Sequence, residues 1–258
     1  MNPENNAFDL TGRAALVTGG NGGIGLGMAK GLAQAGAAVA IAGRDEKKSA
    51  AAVKELQALG VPAFSIKIDV RNEKACRSAV GEAADKLGRL DILVNNAGMN
   101  IRKPPQDLSL EDWNTVMETN LTSAFLCSQA AYPHLKESGH GKIINIGSMM
   151  SIFGGAYLAP YAASKAGIVQ LTKALAAAWA KDHIQVNAVL PGWIDTDLTR
   201  RARVELQGLN ERVLSRTPAG RWGEAADLAG IAVFLASPAS DFITGTGIPV
   251  DGGYSSLG

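Results

Sequence analysis

Between an apolar run at 14–18 and a helix-periodic stretch that lasts to Gly36 lies Thr18-Gly19-Gly20-Asn21-Gly22-Gly23-Ile24-Gly25. So many glycines cost conformational entropy and bury no side chain, which makes sense only where bare backbone is needed. A strand that ends in such a turn and reopens as a helix lets a pyrophosphate approach the main chain. The helix N-terminus then supplies unpaired N–H groups and partial positive charge to the anion. The turn fits G-x-G-x-x-G through Gly20, Gly22 and Gly25, and T-G-x-x-x-G-x-G through Thr18, Gly19, Gly23 and Gly25. Gly19, Asn21, Gly23, Ile24 and Gly25 are therefore the expected contacts of a dinucleotide, with a purely structural glycine turn as the alternative on this segment alone.

Beyond the turn, short apolar runs alternate with longer amphipathic ones, with no internal repeat and no Pro- or Ser-rich linker. That is the pattern of a doubly wound parallel sheet with helices on both faces. Strands are expected at 14–18, 38–42, 63–68, 90–94, 142–146, 185–189 and near 248–250, mostly as continuous apolar runs, because parallel strands are covered on both sides. With 258 residues, 47% of them hydrophobic, the chain can bury one such core, and a single α/β domain over 1–258 is expected. Residues 195–221 break the rhythm. They are polar, arginine-rich and poor in periodicity, and they follow a strand end, where ligands bind in open α/β sheets. A mobile substrate lid is expected at about 193–221.

The second strand closes on Ala42-Gly43-Arg44-Asp45. An acidic residue at this place binds the ribose diol of NAD, and an arginine meets the 2′-phosphate of NADP. Arg44 favours NADP(H), while an inward turn of Asp45 would keep NAD(H) open. The third strand ends Ile68-Asp69-Val70, placing Asp69 and Val70 to cap the adenine.

Ser148, Tyr161 and Lys165 are spaced S-x12-Y-x3-K, so one helical face carries the tyrosine and the lysine. A phenol near pKa 10 is a poor acid or base at neutral pH. An ammonium one turn away favours the phenolate and brings the group toward working range, and a serine hydroxyl beside it can hold a carbonyl oxygen. These residues point to an oxidoreductase.

Taken with Asn95-Asn96-Ala97-Gly98, Asn120 in Glu118-Thr119-Asn120-Leu121, and Pro191-Gly192-Trp193-Ile194-Asp195-Thr196, the chain resembles the short-chain dehydrogenase/reductase family from Leu10 to Tyr254. The resemblance implies a Rossmann-type sheet of about seven strands. It also implies that Tyr161 exchanges the proton, Lys165 holds the nicotinamide ribose and lowers the tyrosine pKa, Ser148 binds the substrate oxygen, and Asn120 anchors a water relay from Lys165. Asn96, Ala97, Gly98, Pro191 and Gly192 would line the cofactor, with Ile194 and Thr196 fixing its carboxamide. A homotetramer is the common form in the family, and apolar residues on more than one side of helices near 111–135 and 160–180 agree with it.

Within that family, the stretches Phe8 to Arg13, Met99 to Lys103 and Arg216 to Gly223 resemble gluconate 5-dehydrogenase and deoxygluconate dehydrogenase members, implying a sugar-acid or polyol carbonyl/alcohol substrate. Arg102 is placed to pair with a carboxylate or to stay solvated. Met149, Met150, Phe153, Tyr157, Trp193 and Leu198 offer an apolar wall that suits a sugar ring face or an alicyclic ketone. A 3-oxoacyl-thioester reductase would want a basic docking surface that the helix ends lack, and a non-enzymatic NADP-sensing regulator would have no need of Ser148, Tyr161 and Lys165.

A formal charge of +1, with both signs interspersed, speaks against a nucleic-acid partner. Cys76 and Cys127 lack metal-ligand spacing and the three histidines have no i, i+4 partner, so no metal is expected. With no leader-like or membrane-spanning apolar run, a cytoplasmic, membrane-free protein is expected.

Overall fold

The computed structural model describes residues 6–257, so positions 1–5 and 258 of the expected domain lie outside the described residues. Seven parallel strands, β1 (Ala14–Thr18), β2 (Ala38–Gly43), β3 (Ala63–Lys67), β4 (Ile92–Asn95), β5 (Gly141–Ile146), β6 (Ile184–Pro191) and β7 (Gly247–Val250), form one sheet in the order β3-β2-β1-β4-β5-β6-β7. The chain winds outward from β1 to β3, returns to place β4 beside β1, and winds outward the other way. That reversal opens a crevice at the carboxyl ends of β1 and β4.

Side chains along the central strands β1, β2 and β4 alternate between two cores. Ala15 and Val17 of β1, with Ile92 and Val94 of β4, face one core, while Leu16 and Leu93 face the other. A residue buried on either side explains why these strands read as unbroken apolar runs. Helices α1 (Gly23–Gln34), α2 (Glu46–Gln57) and α9 (Ala229–Ala236) supply the first core through Met28, Leu32, Leu56 and Leu235. On the other face, α3 (Glu73–Leu87), α5 (Ser123–Ser138) and α6 (Ala159–Trp179) contribute Cys76, Val80, Leu135 and Leu175.

Two expectations change. Expected at 90–94, the fourth strand runs over Ile92–Asn95; at Asp91 the backbone still bonds to Ala14 O and Lys142 N, while its carboxylate accepts from Ala14 N at 2.9 Å and pairs with Arg89 and Arg13. Residues 195–221 are helical where no periodicity was expected, forming α7 (Asp197–Glu205) and α8 (Leu209–Arg216). Ala202, Leu209 and Val213 are buried there beneath half-buried Leu206, Trp193 and Trp222. Split over two short helices and set among arginines, these few apolar residues leave no long period in the sequence. The remaining helix, α4 (Leu110–Met117), leads into α5 through a π-helical turn at Glu118–Thr122. No helix among the described residues is long and apolar enough to cross a membrane.

Candidate active site

The strand ends open onto a cavity of about 390 Å³ whose floor is the glycine turn. Gly19 (φ 64°) and Gly23 (φ 50°) occupy the left-handed region, which side chains rarely tolerate. At Gly22, no atom stands within 4 Å of where a Cβ would be. No side chain caps the N-terminus of α1, and Gly22, Gly23 and Ile24 border the cavity, so free N–H groups and the helix dipole are available to an anion. This bare backbone fits a dinucleotide pyrophosphate.

Gly25 departs from the expectation. It does not line the cavity, and a Cβ there would stand 2.4 Å from Gly19 O and from Asn96 Nδ2. Its bare Cα lets α1 pack beneath the turn. Asn96 and Asn21 do line the cavity, but their side chains brace it: Asn96 Nδ2 donates to Thr18 O and Gly19 O at 3.0 Å each, and Asn21 Nδ2 donates to Ser49 Oγ at 3.0 Å. Thr18 Oγ1 accepts from Asn96 N and Ala97 N at 3.0 and 3.1 Å, fastening the β4 end, with Ala97 and Gly98, to β1.

Arg44 stands exposed on the cavity rim beside Lys48 and joins no ion pair among the described residues. Asp45 does not turn inward, because its carboxylate accepts from Lys48 N at 3.0 Å and caps α2. Asp69 and Val70 form part of the wall. The hydrogen bond from Arg71 holds the Asp69 carboxyl below the usual carboxylate range, with the charges of Arg71 and Arg44 acting the same way. On the far side, Pro191, Gly192, Ile194 and Thr196 complete the wall, and Thr196 caps α7.

Ser148 begins a single 3₁₀ turn after β5, its Oγ accepting from Met150 N at 3.1 Å. Ser148 N donates to Ser151 Oγ at 3.2 Å, and Ser151 Oγ donates to Lys165 O at 2.7 Å, which ties the serine to α6. Buried Lys165 donates from Nζ to Ile146 O at 2.7 Å, and desolvation lowers its pKa from 10.5 to about 8. Tyr161 is half-buried with its hydroxyl end inside the protein, and burial pushes the phenol up, opposed by the Ser148 side chain. Lys165 Nζ lies 5.7 Å from the Tyr161 ring centroid. The lowering expected from the ammonium is not seen in the protein alone, where burial raises the phenol and only Ser148 opposes it. Desolvation favours the neutral form of both groups.

Asn120 lies in the π-helical turn, buried and away from the cavity walls. Its Oδ1 accepts from Met99 N at 2.8 Å, and its Nδ2 donates to Met99 O and Ser164 Oγ at 2.9 and 3.0 Å. Ser164 Oγ in turn donates to Tyr161 O at 2.7 Å. A Cβ on Gly98 would fall 3.4 Å from Asn120 Oδ1 and 3.5 Å from Lys165 Nζ, so the glycine keeps a gap open between them. Ser151 and Ser164 escaped the sequence reading because isolated serines near helix starts carry no distinguishing signal.

A smaller chamber of about 100 Å³ adjoins the cleft, and Ser148 and Tyr161 border both. It gathers Arg102, Met150 and Trp193 as expected, but not Tyr157, which is 52% exposed and yields its place on the wall to Leu158. Phe153 also lies elsewhere, its ring 6.2 Å from that of Tyr254, with the Arg216 guanidinium 4.9 and 4.4 Å from the two centroids. Asn100 joins the wall unforeseen.

The family pattern described as Enoyl-(Acyl carrier protein) reductase matches residues 19–255. Over 249 residues the chain is 44% identical to the 2-dehydro-3-deoxy-D-gluconate 5-dehydrogenase of Escherichia coli, spanning 96% of this chain and 97% of that one. It is 40% identical over 248 residues to the gluconate 5-dehydrogenase of Gluconobacter oxydans, covering 96% of each. A gluconate 5-dehydrogenase from Burkholderia cenocepacia, solved in complex with NADP and tartrate, superposes with a TM-score of 0.92 at 43% identity over 98% of both chains. Full-length similarity of this order, joined to the glycine turn at the β1–β4 crevice and to Ser148, Tyr161 and Lys165 at the mouth of the chamber, means that the chain belongs to the short-chain dehydrogenase/reductase family.

Proposed function

We propose that this oxidoreductase interconverts a ketone and a secondary alcohol on a sugar acid of the ketogluconate kind, with NADP(H) as its nucleotide. The observation that carries the proposal is the shared wall. Ser148 and Tyr161 border both the dinucleotide cleft and a chamber that also contains the Arg102 guanidinium. The names of the relatives, which act on gluconate-type acids, and the NADP held by the Burkholderia protein support it.

When bound, the nicotinamide nucleotide supplies or accepts the hydride. In the reductive direction Ser148 Oγ donates to the carbonyl oxygen and Tyr161 Oη delivers the proton that the forming alkoxide needs. A buried phenol, whose pKa is raised, holds that proton at neutral pH. In the oxidative direction Tyr161 Oη takes the proton back, and Lys165 Nζ, still largely charged at neutral pH, favours the phenolate. Asn120 fixes Met99 and, through Ser164, the first turn of α6; anchoring a water relay from Lys165 is the role that the family resemblance gives it. Arg44, free of Asp45, receives the 2′-phosphate, while Arg102 pairs with the substrate carboxylate. Residues 193–221 act as the lid, the assembly is a homotetramer, and the site of action is the cytoplasm.

The proposal is tested with purified protein, NADPH or NADH, and a panel of 5-ketogluconate, cyclic ketones and acetoacetyl thioesters. The expected outcome is fastest turnover of 5-ketogluconate, with kcat/KM for NADPH above that for NADH by at least about tenfold, a difference of only about 1.4 kcal/mol. Turnover confined to the thioester would replace the sugar-acid reading.

A further inference from the structure

We infer that Asn100 is a specificity-determining residue of the substrate chamber, its half-buried amide taking a hydrogen bond with a hydroxyl of the bound acid. The inference rests on the sugar-acid reading above. Among the described residues, three buried side-chain polar atoms lack a hydrogen-bond partner: Asn95 Oδ1, Asn100 Oδ1 and Arg203 Nε. Asn95 sits inside the sheet, where its Nδ2 donates to Asn145 Oδ1 at 2.8 Å, and the Arg203 guanidinium lies over the Trp222 ring and pairs with Asp195. Only Asn100 borders the chamber that holds Ser148 and Tyr161.

The segment carrying Asn100 is fastened on both sides. Asn120 accepts from Met99 N and donates to Met99 O, and Lys103 Nζ pairs with Asp112 Oδ2 at 2.7 Å. Between these two anchors stand Asn100 and Arg102, both on the chamber wall, and Arg102 joins no ion pair among the described residues. A buried polar atom without a partner is rare in a folded chain, and a fixed one beside a catalytic pair is a place for a ligand group. The ligand that suits the wall carries an anionic end for Arg102, a reacting oxygen for Ser148 and Tyr161, and a hydroxyl between them. That hydroxyl satisfies the amide whichever way it is turned, since it both donates and accepts, whereas a methylene satisfies neither orientation. A site of this kind rejects the analogue that lacks the hydroxyl, because an aliphatic chain laid over the half-buried amide strips it of water and offers no partner.

The experiment compares wild type with Asn100→Leu, each saturated with NADP⁺, by calorimetric titration with gluconate and with hexanoate. Hexanoate has the same chain length and carboxylate but no hydroxyls. Wild type is expected to bind gluconate at least about tenfold more tightly than hexanoate, an advantage of one hydrogen bond or more. Asn100→Leu is expected to lose about tenfold toward gluconate and nothing toward hexanoate, to keep its NADP⁺ affinity, and to melt no lower than wild type, since it removes an unpartnered atom and no protein hydrogen bond. Should the leucine variant not fold, Asn100→Ser goes through the same titrations, with a weakening confined to gluconate expected. A variant that keeps the full gluconate preference overturns the inference and leaves the proposed function standing. A wild type that neither binds gluconate nor turns over 5-ketogluconate overturns both.

Discussion

Burial does opposite things to the charge states of Tyr161 and Lys165, loading a proton onto one and loosening it on the other. Replacing Tyr161 by Phe keeps the ring and removes the proton donor, so turnover should fall by about 10²-fold or more with NADP(H) affinity little changed, as steady-state kinetics and nucleotide titration would show. Near-normal turnover would take Tyr161 out of the mechanism. Lys165→Met has a second readout in stability. The drop in pKa from 10.5 to about 8 corresponds to a desolvation cost of about 3 kcal/mol for the buried ammonium. Losing the bond to Ile146 O returns about 1 kcal/mol of that, so the variant should be more stable than wild type by about 2 kcal/mol at pH 7. Below pH 8 both folded and unfolded chains hold the proton and the full cost is present. Between about 8 and 10.5 only the unfolded chain holds it, so wild-type stability rises with pH and the advantage of the variant fades. Urea unfolding at pH 7 and pH 10 reads both, and a variant less stable than wild type at pH 7 would mean that the ammonium is not a burden. At the rim, Arg44→Asp should cost NADP(H) about 2 kcal/mol or more and offer NAD(H) an acceptor for its diol, reversing the preference in kcat/KM. An unchanged preference would leave Arg44 facing solvent only.

At the scale of elements, the glycine turn and the start of α1 separate two jobs that look alike in sequence. Gly25 packs against Gly19 O and Asn96 Nδ2, whereas the space around a Cβ at Gly22 is open. Gly25→Ala should therefore destabilise the fold by about 1–3 kcal/mol through overpacking and shift the turn. Gly22→Ala keeps an extended backbone (φ 179°) and should leave the melting temperature unchanged while placing a methyl where the nucleotide lies. Thermal melts together with NADP(H) titration distinguish the two; equal loss of stability in both would refute the division. The motif spacing, shared by both glycines, is blind to this difference, which depends on what lies behind the turn. The central strands were legible because both faces are buried and leave an unbroken apolar signal, and the tyrosine–lysine pair because helical geometry links i to i+4. By contrast, α7 and α8 were hidden, since each is short and buries only one or two residues, Ala202 on α7 and Leu209 and Val213 on α8, among charges that face solvent. Tyr157 and Leu158 show the same limit at single-residue resolution: adjacent in sequence, one is exposed and the other borders the chamber.

For the molecule as a whole, the sheet and its two cores account for the apolar residues that point inward and leave others unexplained. Leu110 is 74% exposed and Phe125 42%, with Trp113 close behind, all on α4 and α5. At the sheet edge, Phe242 is fully exposed near the short strand β7, whose Pro249 also faces outward. A lone copy would leave apolar groups in water on α4 and α5 and beside β7, as well as at scattered positions such as Val204 and Ile152, and a proline at a sheet edge prevents open-ended strand pairing while permitting side-by-side association of helices. Two different self-complementary faces on one subunit generate a closed tetramer of dihedral symmetry, since each two-fold contact satisfies itself and the pair of them closes the assembly. Light scattering at micromolar concentration should therefore give a mass about four times 26.8 kDa. Phe125→Glu places a charge in the α4–α5 face and leaves the β7 side untouched, so its expected product is a dimer that still binds NADP(H), because Phe125 lines neither the cleft nor the chamber. A wild-type monomer at that concentration, or a Phe125→Glu variant that remains tetrameric, would show that these apolar side chains are ordinary surface and that α4 and α5 carry no contact between subunits.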